Sequence, residues 1–245
     1  MNTQMTLFAA QQTPTEERGT LLYFPGCEPP AAHPRKGMKQ EVYAIKDPDD
    51  VRAMAQWLWA NKDPKYLLAF TLGINLGLRA NELVSLRTED VFTPDGFVRC
   101  EAEESVTVWQ RKVGKHRTLW LNEACKEALE AHWPHRNSET YAAGWLFPSR
   151  EGGHICVRTL HDVLKEAAQA CGVTQNIGTH SLRKTFGYHQ YRQGQDIVML
   201  QRLFGHSSPA VTLRYIGVAQ EEERAAYRNV SVNLYRELGV SEPHT

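Results

Sequence analysis

Two arginines, two histidines and a tyrosine occur along this chain in an order that suits chemistry on a phosphate group. The first is Arg79, which follows Gly77 at the expected start of a helix and lies three residues before Glu82. At a helix N-terminus, a guanidinium and the free backbone N–H groups can bind the same anion. Glu82 would share the helical face and orient the arginine, although the same spacing also suits a plain surface ion pair.

The second candidate segment sets His180 and Arg183 three residues apart, with Thr179 or Ser181 available as a helix cap. On a helix, this spacing points one imidazole and one guanidinium in the same direction. Alone, the pair is equally typical of a capped helix with ordinary polar side chains.

The third segment runs from Leu203 to Tyr215 and predicts a helix that ends at Gly205, a polar turn with His206, and a new helix bearing Tyr215. A tyrosine at such a position is usually a buried or half-exposed packing residue without a chemical role. The combination is more informative, because transfer of a phosphodiester to tyrosine needs cations for the phosphate oxygens, groups that move protons, and a hydroxyl nucleophile.

Four motifs carry a resemblance to a known family. In chain order they are Gly77-Leu78-Arg79-x-x-Glu82-Leu83, His180-x-Leu182-Arg183, Leu203-x-Gly205-His206 and Thr212-x-x-Tyr215. In order and spacing they resemble the signature of the tyrosine recombinase, or phage integrase, family, over roughly Asp47 to Leu238. The resemblance implies an α+β, mainly helical fold, the tyrosine-recombinase catalytic domain with a small antiparallel β-sheet.

The resemblance also implies a lysine on a β-hairpin, and Lys112-Val113-Gly114-Lys115-His116-Arg117 is similar to the Lys-x-Gly-Lys-x-Arg pattern of the family. Lys112 is the expected catalytic lysine and Lys115 is the alternative; either could instead be a solvated charge that only touches a phosphate. The expected catalytic set, with Glu82 in support, is Arg79, Lys112, His180, Arg183, His206 and Tyr215.

Each member of this set has an expected role. The arginines would bind the non-bridging phosphate oxygens in the transition state. A free phenol has a pKa of about 10, so Tyr215 must lose its proton during attack, and His180 is the candidate base. By resemblance, Lys112 would protonate the leaving 5′ oxygen and His206 would hydrogen-bond the scissile phosphate. The scheme requires no cofactor and no metal.

Charge is balanced over the whole chain but not along it. The 28 basic and 28 acidic residues cancel, which argues mildly against a protein that coats DNA. Basic residues dominate from Thr107 to Thr118 and from Gln175 to Tyr215. The residues expected to contact DNA are Arg111, Lys115, Arg117 and Lys184. The five cysteines are scattered without zinc-binding spacing and predict reduced, mostly packed thiols.

The pattern of apolar residues divides the chain into three parts. Residues 1–41 are proline-rich, which predicts an extended or disordered arm. Residues 42–219 are predicted to form the catalytic domain. Residues 220–245 are predicted to form a C-terminal helix and tail that is either exchanged between protomers or folded back. The first predicted helix starts at Asp47-Pro48. Further helices are predicted over Lys65–Leu76, Arg79–Leu86, Glu123–Trp133, Val157–Cys171, Ser181–Gln193, Asp196–Phe204, Pro209–Tyr215 and Gln220–Leu238. Strands are predicted at Phe97–Cys100, Ser105–Gln110 and Arg117–Leu121.

We therefore expect a cytoplasmic, non-membrane enzyme that cuts and rejoins a double-stranded DNA recombination site as a dimer or tetramer. The chain has too few residues before Val42 for the amino-terminal DNA-clamping domain common in the family, so an accessory DNA-binding protein is a further expected partner. The alternatives are a recombinase-derived DNA-binding regulator and a relaxing enzyme of the type IB topoisomerase kind. A pure regulator would have no need of the tyrosine.

Overall fold

The computed structural model describes residues 41–99, 105–110, 114–135 and 144–218, together with residues 222, 224, 225, 227 and 228. Helices predominate, and the one sheet among these residues is a hairpin, so the predicted mainly helical α+β fold is confirmed. The elements are α1 (Pro48–Asn61), α2 (Pro64–Leu76), α3 (Ala80–Val84), α4 (Thr88–Val91), β1 (Ser105–Gln110), β2 (Lys115–Trp120), α5 (Glu123–His132), a 3-10 turn (Trp133–His135), α6 (Val157–Ala170), α7 (Thr179–Arg192), α8 (Ile197–Phe204) and α9 (Pro209–Ile216).

The first two helices begin with the same local chemistry. Asp47 caps α1 by accepting a hydrogen bond from the backbone N–H of Asp49 at 2.8 Å, and Asp63 caps α2 in the same manner. A proline follows each aspartate, at a position where its missing N–H costs nothing. The helix start predicted at Asp47-Pro48 is thereby confirmed.

The sheet is smaller than the sequence predicted. Strands β1 and β2 pair antiparallel, with Gln110 opposite Lys115. The predicted strand at Phe97–Cys100 is wrong over the described residues up to Arg99, because Val98 makes only an isolated bridge to Phe92. The backbone N–H of Arg99 donates to the carbonyl of Val91 at 2.7 Å, so this segment bonds back to the end of α4 instead of joining the hairpin.

Two apolar clusters support the fold. The larger cluster is built mainly from α1, α2, α5 and α6 and includes Leu182 of α7. The smaller cluster centres on Phe204, Ile216 and Val218, with Tyr215 among the half-buried side chains packed against it. Gly187 lets α7 approach this second cluster, because a Cβ there would lie 2.6 Å from Ile216. Helix α7 therefore contributes side chains to both clusters.

Several predicted segments lie outside the described residues. These are the arm at 1–40, Cys100, and most of the predicted helix at Gln220–Leu238. Residues 222, 224, 225, 227 and 228, which are described, are helical. Within the described part of the chain, no helix combines the length and the hydropathy needed to cross a bilayer.

Candidate active site

Arg79 is placed by the way α2 ends. Gly77 adopts a left-handed conformation with φ of 58°, and a Cβ at this position would lie 2.4 Å from the ring of Phe186. Only glycine fits this turn without displacing the ring. Leu78 is buried and anchors the chain beyond the turn, so that Arg79 becomes the N-cap residue of α3.

Glu82 holds Arg79 from one side, as the sequence predicted. Its Oε1 accepts a hydrogen bond from Arg79 Nη1 at 2.9 Å, and its Oε2 accepts one from the backbone N–H of Arg79 at 3.1 Å. Arg117 of β2 lies at 3.6 Å from the same Oε2 atom. Glu82 therefore joins α3 to the hairpin as well as orienting the arginine.

Arg117, which the sequence predicts to contact DNA, lies close to Glu82 in the structure. Its side chain is only 17% exposed and faces Glu82, and burial lowers its pKa below the usual value. Arg117 is thus part of the support around Arg79, a role that the hairpin motif alone did not reveal.

Arg183 is almost completely buried, at 3% exposure. Its Nη1 donates to the carbonyl of Gly77, its Nη2 donates to the carbonyl of Phe204 at 2.9 Å, and its guanidinium carbon lies 4.4 Å from the centre of the Phe204 ring. Both carbonyls follow or end helices, where unsatisfied C=O groups carry partial negative charge. Burial lowers the pKa of Arg183 to about 10, so the guanidinium is still charged at neutral pH.

The two arginines meet at a single backbone atom. The carbonyl oxygen of Phe204 accepts from Arg183 Nη2 at 2.9 Å and also from Arg79 Nη2 at 3.2 Å. The Arg79 side chain remains 39% exposed, so this pair of cations is open to solvent on the Arg79 side. A guanidinium carries five N–H donors, and the pair can therefore hold its protein acceptors and still bind an anion.

His206 follows directly from the end of α8. Gly205 is left-handed, with φ of 65°, and the N–H of His206 bonds back to the carbonyl of Gln201 at 3.0 Å. Because this C-cap geometry ends α8 sharply, α9 begins after a turn of only a few residues. Ser208 caps α9 by accepting from the N–H of Val211 at 3.3 Å. The short polar turn that the sequence predicted between the two helices is confirmed.

The Tyr215 ring lies against the rings of His206 and Phe204, with centroid separations of 4.9 Å and 5.6 Å. Burial raises the pKa of the Tyr215 phenol, while the positive charges of Arg183 and Arg79 act in the opposite direction. The phenol is therefore protonated at rest near neutral pH. Removing its proton becomes easier as the nearby cations stabilise the phenolate.

The imidazole of His206 is held through its Nδ1 atom. Nδ1 lies 3.1 Å from the hydroxyl oxygen of Thr212, and that hydroxyl donates to the carbonyl of Ser208 at 3.3 Å. With its only hydrogen so engaged, the hydroxyl accepts from Nδ1–H and leaves Nε2 directed elsewhere. Burial lowers the pKa of His206, and the charges of Arg183 and Arg79 add to the effect.

Two contacts of this site were missed by the sequence analysis. Thr212 belongs to the motif Thr212-x-x-Tyr215, but its hydrogen bond to His206 was not predicted. The only sequence feature that pointed to Thr212 was its position three residues before Tyr215. The Phe204 carbonyl was also missed, although a helix ending at Gly205 indicates unsatisfied carbonyls at that position.

The remaining predicted residues lie on α7 and on the hairpin. His180 is exposed at the second position of α7, one turn before Arg183 and on the same helical side. Lys184 follows Arg183, and its Nζ lies 5.3 Å from the centre of the Tyr215 ring. Lys115 opens β2. Lys112 and Arg111 lie outside the described residues.

No group of three or more histidine, cysteine, aspartate or glutamate side chains suited to a metal ion occurs among the residues that the structure describes. The cysteines described are Cys125, which is buried, Cys156, which is exposed, and Cys171, which is intermediate, all with free thiols. The candidate site therefore consists of arginine, histidine, glutamate, threonine and tyrosine side chains with one shared backbone carbonyl.

The chain is similar in sequence to one protein family and to several of its members. The model of the phage integrase family matches residues 47–222. The probable integrase/recombinase YoeC of Bacillus subtilis (strain 168) is 35% identical over 188 residues, which are 76% of this chain and 96% of YoeC. Tyrosine recombinase XerC of Staphylococcus saprophyticus is 31% identical over 169 residues, covering 66% of this chain but only 52% of XerC.

Solved structures show the same fold. The XerA recombinase superimposes with a TM-score of 0.61 and 22% identity, covering 80% of this chain and 67% of its own. The XerH site-specific recombinase in a post-cleavage complex with a palindromic difH substrate superimposes with a TM-score of 0.58 and 19% identity, covering 78% of this chain and 54% of XerH.

Proposed function

Because this chain belongs to the phage integrase family, we propose that it is a site-specific DNA recombinase that cuts and rejoins strands through a 3′-phosphotyrosyl intermediate on Tyr215. The observation that carries the proposal is the meeting of Arg79 and Arg183 at the carbonyl of Phe204, whose ring packs against the Tyr215 ring. Two fixed cations and a hydroxyl in one place are what phosphodiester transfer to tyrosine requires.

In the cleavage step, the Tyr215 oxygen attacks the phosphorus, a bond to phosphorus forms, and the bond to the 5′ oxygen breaks. Charge that develops on the non-bridging oxygens is stabilised by Arg79 and Arg183, whose positions are fixed before substrate arrives. The guanidinium fork suits two phosphate oxygens better than an ammonium would.

Two protons must move in this step. The Tyr215 proton passes to His180, the proposed base, and the leaving 5′ alkoxide takes a proton from Lys112, with Lys115 as the alternative donor. The product is a 3′-phosphotyrosyl enzyme and a free 5′ hydroxyl. Attack by a 5′ hydroxyl from another strand reverses the chemistry and rejoins DNA, because the phosphotyrosine conserves the energy of the broken bond.

We assign His206 to the scissile phosphate. With Nδ1–H directed at Thr212, Nε2 of His206 is the atom left for a phosphate oxygen, and it donates only when the ring is protonated. The phosphate brings negative charge to a histidine whose pKa is lowered by burial and by neighbouring arginines. DNA binding therefore favours the protonated, donating form.

The partner in this proposal is a double-stranded recombination site, read by a dimer or tetramer of this chain in the cytoplasm. Exposed apolar side chains on α8 and α9, namely Val198, Met199, Leu203 and Val211, support self-association. The C-terminal residues 220–245 are the proposed exchanged element. The chain spans about half the length of XerC. An accessory DNA-binding protein is a further partner that we propose.

Covalent capture tests the proposal. The protein is incubated with a nicked suicide duplex taken from DNA flanking its own gene, and a denaturant-stable protein–DNA adduct is expected. Tyr215→Phe should abolish the adduct, whereas Tyr227→Phe, at a tyrosine that is 88% exposed, should leave it intact. The matched pair separates loss of the nucleophile from loss of any phenol.

Other outcomes point to other functions. Bound DNA without an adduct favours a DNA-binding regulator, and an adduct that relaxes supercoils without exchanging partners favours a topoisomerase-like enzyme. An adduct that persists in Tyr215→Phe would contradict the assignment of the nucleophile.

A further inference from the structure

Lys184 was expected to contact DNA, but its surroundings differ from those of a phosphate contact. Its side chain is only 11% exposed. Its Nζ lies 5.3 Å from the centre of the Tyr215 ring and 6.0 Å from the centre of the Tyr43 ring, and 3.6 Å from Oε1 of Glu41. The ammonium is therefore held between two aromatic rings and a carboxylate.

The rings and the carboxylate around Lys184 are themselves fixed. The segment that contains Glu41 and Tyr43 follows the side of α7: the N–H of Tyr43 donates to the carbonyl of Asn176 at 3.0 Å, and the N–H of Ile45 donates to the hydroxyl of Thr185 at 2.8 Å. Lys46 then reaches the carbonyl of Gly217 at 3.1 Å, just past the end of α9. This segment thus links α7 to the helix that bears Tyr215.

We propose that Lys184 is a positioning residue for the Tyr215 nucleophile, acting on the face of its ring. His206 and Phe204 also contact the ring, with centroid separations of 4.9 Å and 5.6 Å, so the ammonium is the third group packed against it. A cation over an aromatic face within about 6 Å is attractive, more so when water is largely excluded. With the ring held by these contacts, fewer orientations are open to the hydroxyl that it carries.

This inference rests on the proposed recombinase function, because positioning matters only if Tyr215 attacks phosphorus. It differs from a DNA contact in what it predicts. A phosphate contact contributes to affinity and to its salt dependence, whereas a positioning residue contributes to the rate of the step once DNA is bound. The two roles separate in a single-turnover experiment.

The experiment compares Lys184→Met, Lys184→Arg and the control Lys165→Met, in which the lost charge lies on the exposed part of α6. With suicide DNA at saturation, Lys184→Met should cleave about tenfold more slowly. Its dissociation constant for DNA should change by less than about threefold. Arginine also stacks on aromatic faces, so Lys184→Arg should restore most of the rate. Lys165→Met should match the parent protein.

A second measurement needs neither DNA nor activity. With 3-fluorotyrosine placed at position 215, the ¹⁹F resonance of the free protein should move in Lys184→Met and return toward its parent position in Lys184→Arg. An unmoved resonance, or weaker DNA binding with an unchanged cleavage rate at saturation, would overturn the inference. If the parent protein binds its site but forms no adduct, the proposed function fails, while the ¹⁹F result still decides whether Lys184 acts on Tyr215.

Discussion

Arg183 carries the most buried charge of the candidate site. Removing a guanidinium from water costs several kcal/mol unless the protein supplies hydrogen bonds in return. Here the carbonyls of Gly77 and Phe204 supply them, and the Phe204 ring covers the cation. A charge retained at this cost, beside a tyrosine with a perturbed pKa, is characteristic of sites that do chemistry.

The conservative change Arg183→Lys tests this interpretation. An ammonium is a point charge that cannot reach both carbonyls and a phosphate oxygen together, so we expect the single-turnover cleavage rate to fall by roughly 10²- to 10³-fold. DNA binding should weaken far less, since binding depends on many contacts. Arg192→Lys, on the exposed end of the same helix, is the matched control and should keep the parent rate. A lysine variant of near-normal rate would contradict the role proposed for Arg183.

At the scale of elements, the site is assembled from helix ends. Helices α2 and α8 both stop at a left-handed glycine, Gly77 and Gly205, and each is followed within two residues by a candidate catalytic side chain. The carbonyl of Gly77 and that of Phe204, the last residue of α8, are the groups that bind Arg183. The backbone conformation of these two ends therefore sets the position of the cations.

Sequence patterns predicted these ends but not how they converge. Helix caps and glycine stops depend on neighbouring residues, which is why the helix start at Asp47-Pro48, the helix end at Gly205 and the helix start at Pro209 were placed correctly. The hydrogen bond from Arg79 to the Phe204 carbonyl spans 125 positions and the bond from Arg183 to the Gly77 carbonyl spans 106, and no local pattern encodes them. The strand predicted at Phe97–Cys100 failed for a different reason, because its apolar composition did not reveal that Arg99 bonds to the nearby end of α4.

Gly77→Ala tests the link between a helix end and the site. The left-handed backbone costs an alanine about 1 kcal/mol, and the added Cβ would lie 2.4 Å from the Phe186 ring. Gly172→Ala is the matched control, since Gly172 has φ of 72° with open space around it. We expect chemical denaturation to show a loss of about 1 kcal/mol for Gly172→Ala and at least about 2 kcal/mol for Gly77→Ala.

Only the Gly77 variant should also slow cleavage, because the Gly77 carbonyl would shift away from Arg183. Equal losses of stability and of rate in the two variants would show that the helix end does not control the site.

At the scale of the whole molecule, the neutral net charge conceals a local arrangement. The chain has 28 basic and 28 acidic residues, yet two arginines meet beside the candidate nucleophile and Lys184 adds a third cation at its ring. Helix α7, which carries two of these cations, also contributes Leu182 to the larger core cluster and Phe186 to the smaller one. The stability of the core and the geometry of the site are therefore joined through α7.

Stability of the whole fold should depend on pH through a residue remote from the site. His132, at the end of α5, is 5% exposed, and burial, together with the charges of His135 and Lys65, lowers its pKa from 6.5 to about 4. Between these values the unfolded chain binds a proton that the folded protein excludes. Proton binding by the unfolded chain therefore lowers the free energy of unfolding as the pH falls from 6.5 toward 4 and below. Above pH 6.5 this loss is absent and the folded protein has its full stability.

The gap between a pKa of about 4 and one of 6.5 corresponds to about 3 kcal/mol. Chemical denaturation at pH 7.5 and at pH 4 should show a decrease of this size in the free energy of unfolding, beyond that from other groups. In His132→Gln the decrease should shrink by about 3 kcal/mol, since the titrating group is gone. In His116→Gln, at an exposed position of β2, it should not change. A pH dependence in His132→Gln as steep as that of the parent would show that the buried imidazole is not the group that titrates.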